Sequence, residues 1–199
     1  EKRPGLLYAG TEYGMFVSFD DGEHWQPFQL DLPRTPITDI EWVRNVLALS
    51  TMGRGFWILD NLTPLHQLSD EVTGSDAHLY QPRAAYRMRY RGMTYGGGAR
   101  SHDPEYPEPG AMIDYYLAET ARGEVKLELM NASGNVIRGF TSSSEGYTYQ
   151  EAQGMRAPYI ARRGEPRLET GAGHHRFTWD LRHPSVSAPA EATGLYGRP

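Results

Sequence analysis

The stretch Ser18-Phe19-Asp20-Asp21-Gly22-Glu23-His24-Trp25 decides how the chain reads. It fits the pattern S-x-D-x-G-x-x-W and stands between two apolar runs, Met15-Phe16-Val17-Ser18-Phe19 and Trp25-Gln26-Pro27-Phe28. Both runs have the length and residue types of short strands. Each member of the pattern has a structural task. Gly22 permits a positive φ in the turn, Asp20 accepts hydrogen bonds from turn N–H groups, and Trp25 is expected to pack, largely buried, over its own hairpin. Four fixed positions between two strand patterns are far more specific than a bare Asp-x-Gly.

Outward from this turn the chain reads as a meander. Leu6 to Gly10 is a further strand before it, and a second set follows at Ile37 to Trp42, Val46 to Ser50, Phe56 to Asp60 and Leu65 to Leu68. The breaks are Arg44-Asn45, Gly53-Arg54-Gly55 and Asn61 to Pro64. Leu7-Tyr8-Ala9-Gly10-Thr11 aligns with Leu47-Ala48-Leu49-Ser50-Thr51, and Gly14-Met15-Phe16-Val17 aligns with Gly55-Phe56-Trp57-Ile58. The offset, about 40 residues, is that of a four-stranded repeat unit. In this register the second unit has four strands and the first lacks its innermost, so the chain is expected to begin in mid-unit.

Ser69 to Asp76 is polar and reads as a linker before a second region. Positions 91 to 110 look like a long loop rich in Gly, Pro and Tyr. Ala111 to Leu117, Glu124 to Met130 and Val136 to Thr141 are strands, the last two joined by the turn Asn131 to Asn135. A weakly patterned excursion over 142 to 173 precedes a last strand at His175 to Leu181. About five strands result, fewer than the seven of an immunoglobulin-type sandwich.

Residues 5 to 68 resemble the Asp-box (BNR) repeat propellers of bacterial sortilin-like and glycosidase-like exported proteins. Gly5-Leu6-Leu7-Tyr8-Ala9-Gly10-Thr11-Glu12 and Gly53-Arg54-Gly55-Phe56-Trp57-Ile58-Leu59-Asp60 look like their closing blades, although the family commonly has a His where this chain has Met52. The resemblance continues through Ile113-Asp114-Tyr115-Tyr116-Leu117, Gly123-Glu124-Val125 and Phe177-Thr178-Trp179-Asp180-Leu181-Arg182, where the family carries an immunoglobulin-like domain. It implies an all-β chain with propeller blades over 1–72, a linker over 73–78 and a truncated sandwich over 79–199. It also implies secretion or a periplasmic location. In the family the box lies on an outer turn, remote from the central channel. Ser18, Asp20, Gly22 and Trp25 are therefore expected to stabilise structure, and Asp20 with Asp21 is not expected to form the carboxylate pair of a glycosidase.

Other sites are weaker. Arg83, Tyr86, Arg87, Arg89 and Tyr90 belong to a basic, Tyr-bearing segment suited to gripping a carboxylate or stacking on a sugar. The competing reading has them pack the linking strand against the blades. His174-His175 are adjacent on a strand, point to opposite faces and are expected to be solvated. No Cys is present, so disulfide and thiolate chemistry are excluded, and neither a metal nor a cofactor is expected. The net charge of −5 comes from well-mixed residues, which argues against nucleic acid, and no apolar run reaches the roughly 20 residues that span a bilayer. No catalytic constellation stands out. The expected function is a non-catalytic binding or scaffolding module for a protein or glycan, with its open strand edges covered by the rest of a parent protein or by another chain. The alternative is the C-terminal part of a glycoside hydrolase whose catalytic residues lie upstream.

Overall fold

The structure, a computed structural model, describes residues 3–87, 110–148 and 165–182. It is all-β, built from small sheets that are antiparallel except for one two-residue parallel pairing. The first sheet has the order β1 (Leu7–Thr11), β2 (Gly14–Ser18), β3 (Gln26–Pro27). The second has the order β4 (Ile37–Val43), β5 (Val46–Thr51), β6 (Phe56–Leu59). Arg44 and Asn45 both have positive φ (50° and 70°) in the two-residue turn between β4 and β5, as a turn matched to strand twist requires.

The repeat read from the sequence holds residue for residue in the ladders. Tyr8 pairs with Val17 as Ala48 does with Ile58, and Gly10 pairs with Met15 as Ser50 does with Phe56. Even the turn bonds correspond: the Thr11 hydroxyl donates to the Gly14 carbonyl and the Thr51 hydroxyl to that of Gly55. The two sheets then stack. Met15 packs with Leu32, Leu47, Leu49 and Leu62, and Gly10 brings β1 so close to β4 that a Cβ there would lie 2.6 Å from Ile37 Cγ2.

The expected strand at Leu65 to Leu68 is instead part of helix α1 (Thr63–Gln67). Asn61 Oδ1 accepts the Thr63 N–H and Pro64 stands in the first turn, where its missing N–H costs nothing. The apolar residues were compatible with either structure; these local signals favour the helix. Helix α2 (Asp70–Thr73) follows directly, with the Ser69 hydroxyl capping the Val72 N–H, so the polar stretch contains a helical turn.

A third sheet has β8 (Ala111–Leu117) at its centre, flanked by β7 (Ala77–Leu79) and β13 (Gly173–Trp179). The hairpin of β9 (Lys126–Met130) and β10 (Val136–Thr141) covers one face, where Ile113, Tyr115, Phe140 and Phe177 form a second core. The pair β11 (Gly146–Tyr147) and β12 (Glu165–Pro166) lies within the excursion. β8 is buried on both faces: Ile113, Tyr115 and Leu117 look to the hairpin, while Asp114 is hydrogen-bonded to Asn61, beyond β6. This placement on both sides explains its apolar run without polar alternation.

Candidate functional site

At the first turn Asp20 accepts from the Ser18 hydroxyl at 2.7 Å and from the His24 amide at 2.9 Å through one oxygen. Its other oxygen lies 2.6 Å from His24 Nδ1. These bonds, the His24 amide first, then Ser18 and the His24 ring, hold the carboxyl down at about 2. Gly22 has φ +95° and donates its N–H to Ser18 Oγ at 2.9 Å. Trp25 departs from expectation: it is 43% exposed. Its indole N–H reaches the Gly22 carbonyl at 3.1 Å, so the ring closes its own turn at the surface, and among the described residues no sheet covers it. Asp20, Glu23 and His24 bring ligand atoms within 4.8 Å of one another, but both Asp20 oxygens already serve the turn.

The Arg and Tyr segment does not assemble into a site among the described residues. Arg83 points inward, donating to the Asp60 carbonyl at 2.8 Å, with Met112 Sδ at 4.0 Å. Tyr86 and Arg87 are exposed, and Arg89 and Tyr90 lie outside the described residues. Arg83 thus ties the chain after β7 to the end of β6.

What the structure brings together instead is a polar cluster where β8 and β13 meet the end of β6. The buried Asp114 accepts from Asn61 Nδ2 at 2.7 Å and from Arg176 Nε at 2.8 Å, and His174 Nε2 lies 3.2 Å away. Arg176 also reaches Asp60 at 3.8 Å. Burial alone would raise the Asp114 carboxyl, but the His174 hydrogen bond and the Arg176 guanidinium outweigh it and hold the group below its usual value. One carboxylate therefore joins three segments of chain.

His174 and His175 do point to opposite faces, but they are not a solvated pair. His175 is buried, stacked obliquely on Tyr115 at 5.1 Å, with Nε2 at 2.6 Å from the Gly171 carbonyl. Glu169 lies 3.4 Å from its Nδ1, within ion-pair range but outside hydrogen-bond geometry. The Tyr115 hydroxyl donates to the Glu169 carbonyl and accepts its N–H, both at 2.8 Å; burial pushes this phenol up to about 12. Sequence spacing missed the cluster because Asn61, Asp114 and Arg176 are more than 50 residues apart in successive steps. The signal that could have found it is a lone Asp in the apolar strand Ala111 to Leu117.

Beside the cluster lies a cleft of about 520 Å³, lined by Phe28, Leu30, Pro64 and Leu65 on one side and by His175 and Arg176 on the other. The carboxylates around it are held in pairs, Asp60 and Asp114 with Arg176 and Glu169 beside His175. Comparison with protein-family models, with curated proteins and with solved structures found no match.

Proposed function

We propose that the chain supplies blades of an Asp-box (BNR) propeller of the sortilin-like type, followed by an immunoglobulin-like sandwich. Its role is that of a non-catalytic, extracytoplasmic binding or scaffolding module. One observation carries the reading. In the repeat register Met15 and Val17 correspond to Phe56 and Ile58, yet the first pair is 1% and 2% exposed and the second 82% and 60%. The face of the first sheet that the second sheet covers has its counterpart in a face of the second sheet that nothing covers among the described residues. Val43, cross-paired to Val46 on that same face, extends the apolar area and is also exposed. Large exposed apolar patches mark interaction surfaces, and head-to-tail stacking leaves such a face at each end. A further β-sheet, from the parent protein or another chain, is the partner that this register fits.

Light scattering on the 199-residue chain tests this. Association is expected for the native chain and its loss for the double variant Phe56→Ser/Ile58→Thr. A monodisperse native monomer would sink the proposal. Release of reducing sugar from a glycan panel by the chain alone would sink its non-catalytic part and favour the glycoside hydrolase.

A further inference from the structure

We propose that the free edge of β1 takes up an extended, uncharged strand of a separate polypeptide, antiparallel to it and in the register that β4 holds on β5. β1 is the outer strand of its sheet and pairs only with β2 among the described residues. Its counterpart in the repeat, β5, is flanked on both sides, by β4 and by β6. This edge is distinct from the face at Phe56 and Ile58, and the inference rests on the pairing repeat, not on that face.

Two observations define the edge. The first is the direction of the backbone groups. The Phe28 N–H donates to the Met15 carbonyl at 2.8 Å, so Met15 and, by alternation, Val17 turn their backbone groups toward β3. Gly14, Phe16 and Ser18 turn theirs toward β1, where they meet Thr11, Ala9 and Leu7. The N–H and C=O groups of Tyr8 and Gly10 therefore point to the other edge, and none of them has a hydrogen-bond partner among the described residues. At the equivalent positions of β5, Ala48 and Ser50 are paired with Glu41 and Asp39 of β4.

The second observation is composition. Exposed edges are ordinarily protected by charge, Pro or a bulge. β4 has two of these, the exposed Asp39 and Glu41 and a shift of register between Ile37 and Asp39. β1, Leu7-Tyr8-Ala9-Gly10-Thr11, has no charged residue, no Pro and an unbroken register. An unprotected edge of this kind takes up a strand through main-chain bonds, and alternate side chains set the specificity. Residues opposite Leu7 and Ala9 match Trp42 and Ile40 of β4, so they are apolar. Residues opposite Tyr8 and Gly10 share the face that looks to β4, where Gly10 approaches Ile37 and Ile40. Trp42, cross-paired to the core residue Leu47 and still 44% exposed, adds apolar surface there. A charge on the incoming strand at these places would lose its water, so they are uncharged.

Hydrogen exchange at the Tyr8 and Gly10 amides of the ¹⁵N-labelled chain tests the edge, with the capped peptide Ile-Thr-Thr-Ile-Thr-Trp-Val as probe. Both amides are expected to exchange freely without it, and peptide at about 1 mM to slow both at least tenfold. N-methylation of its third and fifth residues, which face Gly10 and Tyr8, is expected to abolish the effect, and N-methylation of the fourth and sixth to leave it. The native β4 sequence, with Asp39 and Glu41 in those places, is expected to bind at least tenfold more weakly. Phe56→Ser/Ile58→Thr is expected to bind the probe as the native chain does. No slowing at about 1 mM probe overturns the proposal, and so does loss of binding in the double variant, which would move the probe to the other face. Amides already protected in the dilute chain assign the edge to the chain itself, and protection that grows with protein concentration alone assigns it to a second copy; either overturns the separate strand. Equal binding of the charged sequence overturns the side-chain requirement.

Discussion

Trp25 shows how a motif residue can be correctly located and wrongly weighed. A Trp beside a tight turn is free to bury itself or to cap the turn, and its single N–H decides in favour of the cap by reaching the Gly22 carbonyl at 3.1 Å. With 43% of the residue still exposed, Trp25→Ala should cost about 1 kcal/mol, the scale of one hydrogen bond and partial contact. Chemical denaturation measures this. A loss near the 3–5 kcal/mol of a core aromatic would restore the buried placement. Asp20 acts through hydrogen bonds that only the ionised form accepts fully. Its folded value near 2 lies below the ordinary 3.8, so the stability it adds is present above about 4 and is lost as pH falls toward 2. Asp20→Asn should lower the melting temperature at pH 7 and flatten its decline between pH 4 and 2. An unchanged melt at pH 7 would remove Asp20 from the turn's stabilising set.

Among the elements, β8 carries the most consequences because both its faces are covered. Asp114 is the one acid on it, and it is bound by Asn61 and Arg176 and approached by His174. Its carboxyl is held below the ordinary value, so its contribution is complete above about 4 and disappears as pH falls below that. Asp114→Asn should destabilise at neutral pH by about 3 kcal/mol, since it leaves Arg176 facing a neutral group in a buried pair. The same variant should lose part of the native acid sensitivity below pH 4. Urea titrations at pH 7 and pH 3 measure both effects, and equal losses at the two pH values would contradict the role given to the carboxylate. The element that departed from its sequence reading, α1, did so where an Asx turn and an N-terminal Pro outweighed apolar residues that suit a strand equally well.

At the scale of the whole molecule, two apolar cores sit on either side of the polar cluster around Asp114. The face at Phe56 and Ile58, exposed among the described residues, lies away from the core that contains Leu47 and Leu49, because neighbouring residues on a strand alternate sides. Removing those two side chains should therefore affect association while sparing the fold. If a second sheet binds there, mass action makes the native chain's melting temperature rise with protein concentration. Phe56→Ser/Ile58→Thr should abolish that rise and leave the dilute-limit melting temperature within error. A concentration-independent native melt would remove the face from consideration as an interface.

Local sequence determined most of the strands and turns and the pairing repeat, though not the segment at Leu65 to Leu68, because each rests on neighbours: alternation along β5 and β6, positive φ at Gly22, and the paired hydroxyl bonds of Thr11 and Thr51. It also placed His174 and His175 on opposite faces, since a strand's pleat requires it. Tertiary structure alone decided which of those faces are buried, that Arg83 turns inward to Asp60, and that Trp25 stays at the surface. It alone assembled Asn61, Asp114 and Arg176 around one carboxylate. The physical reason is that backbone preference is settled within a few residues, whereas desolvation and charge pairing depend on which distant segments the packing brings within about 4 Å.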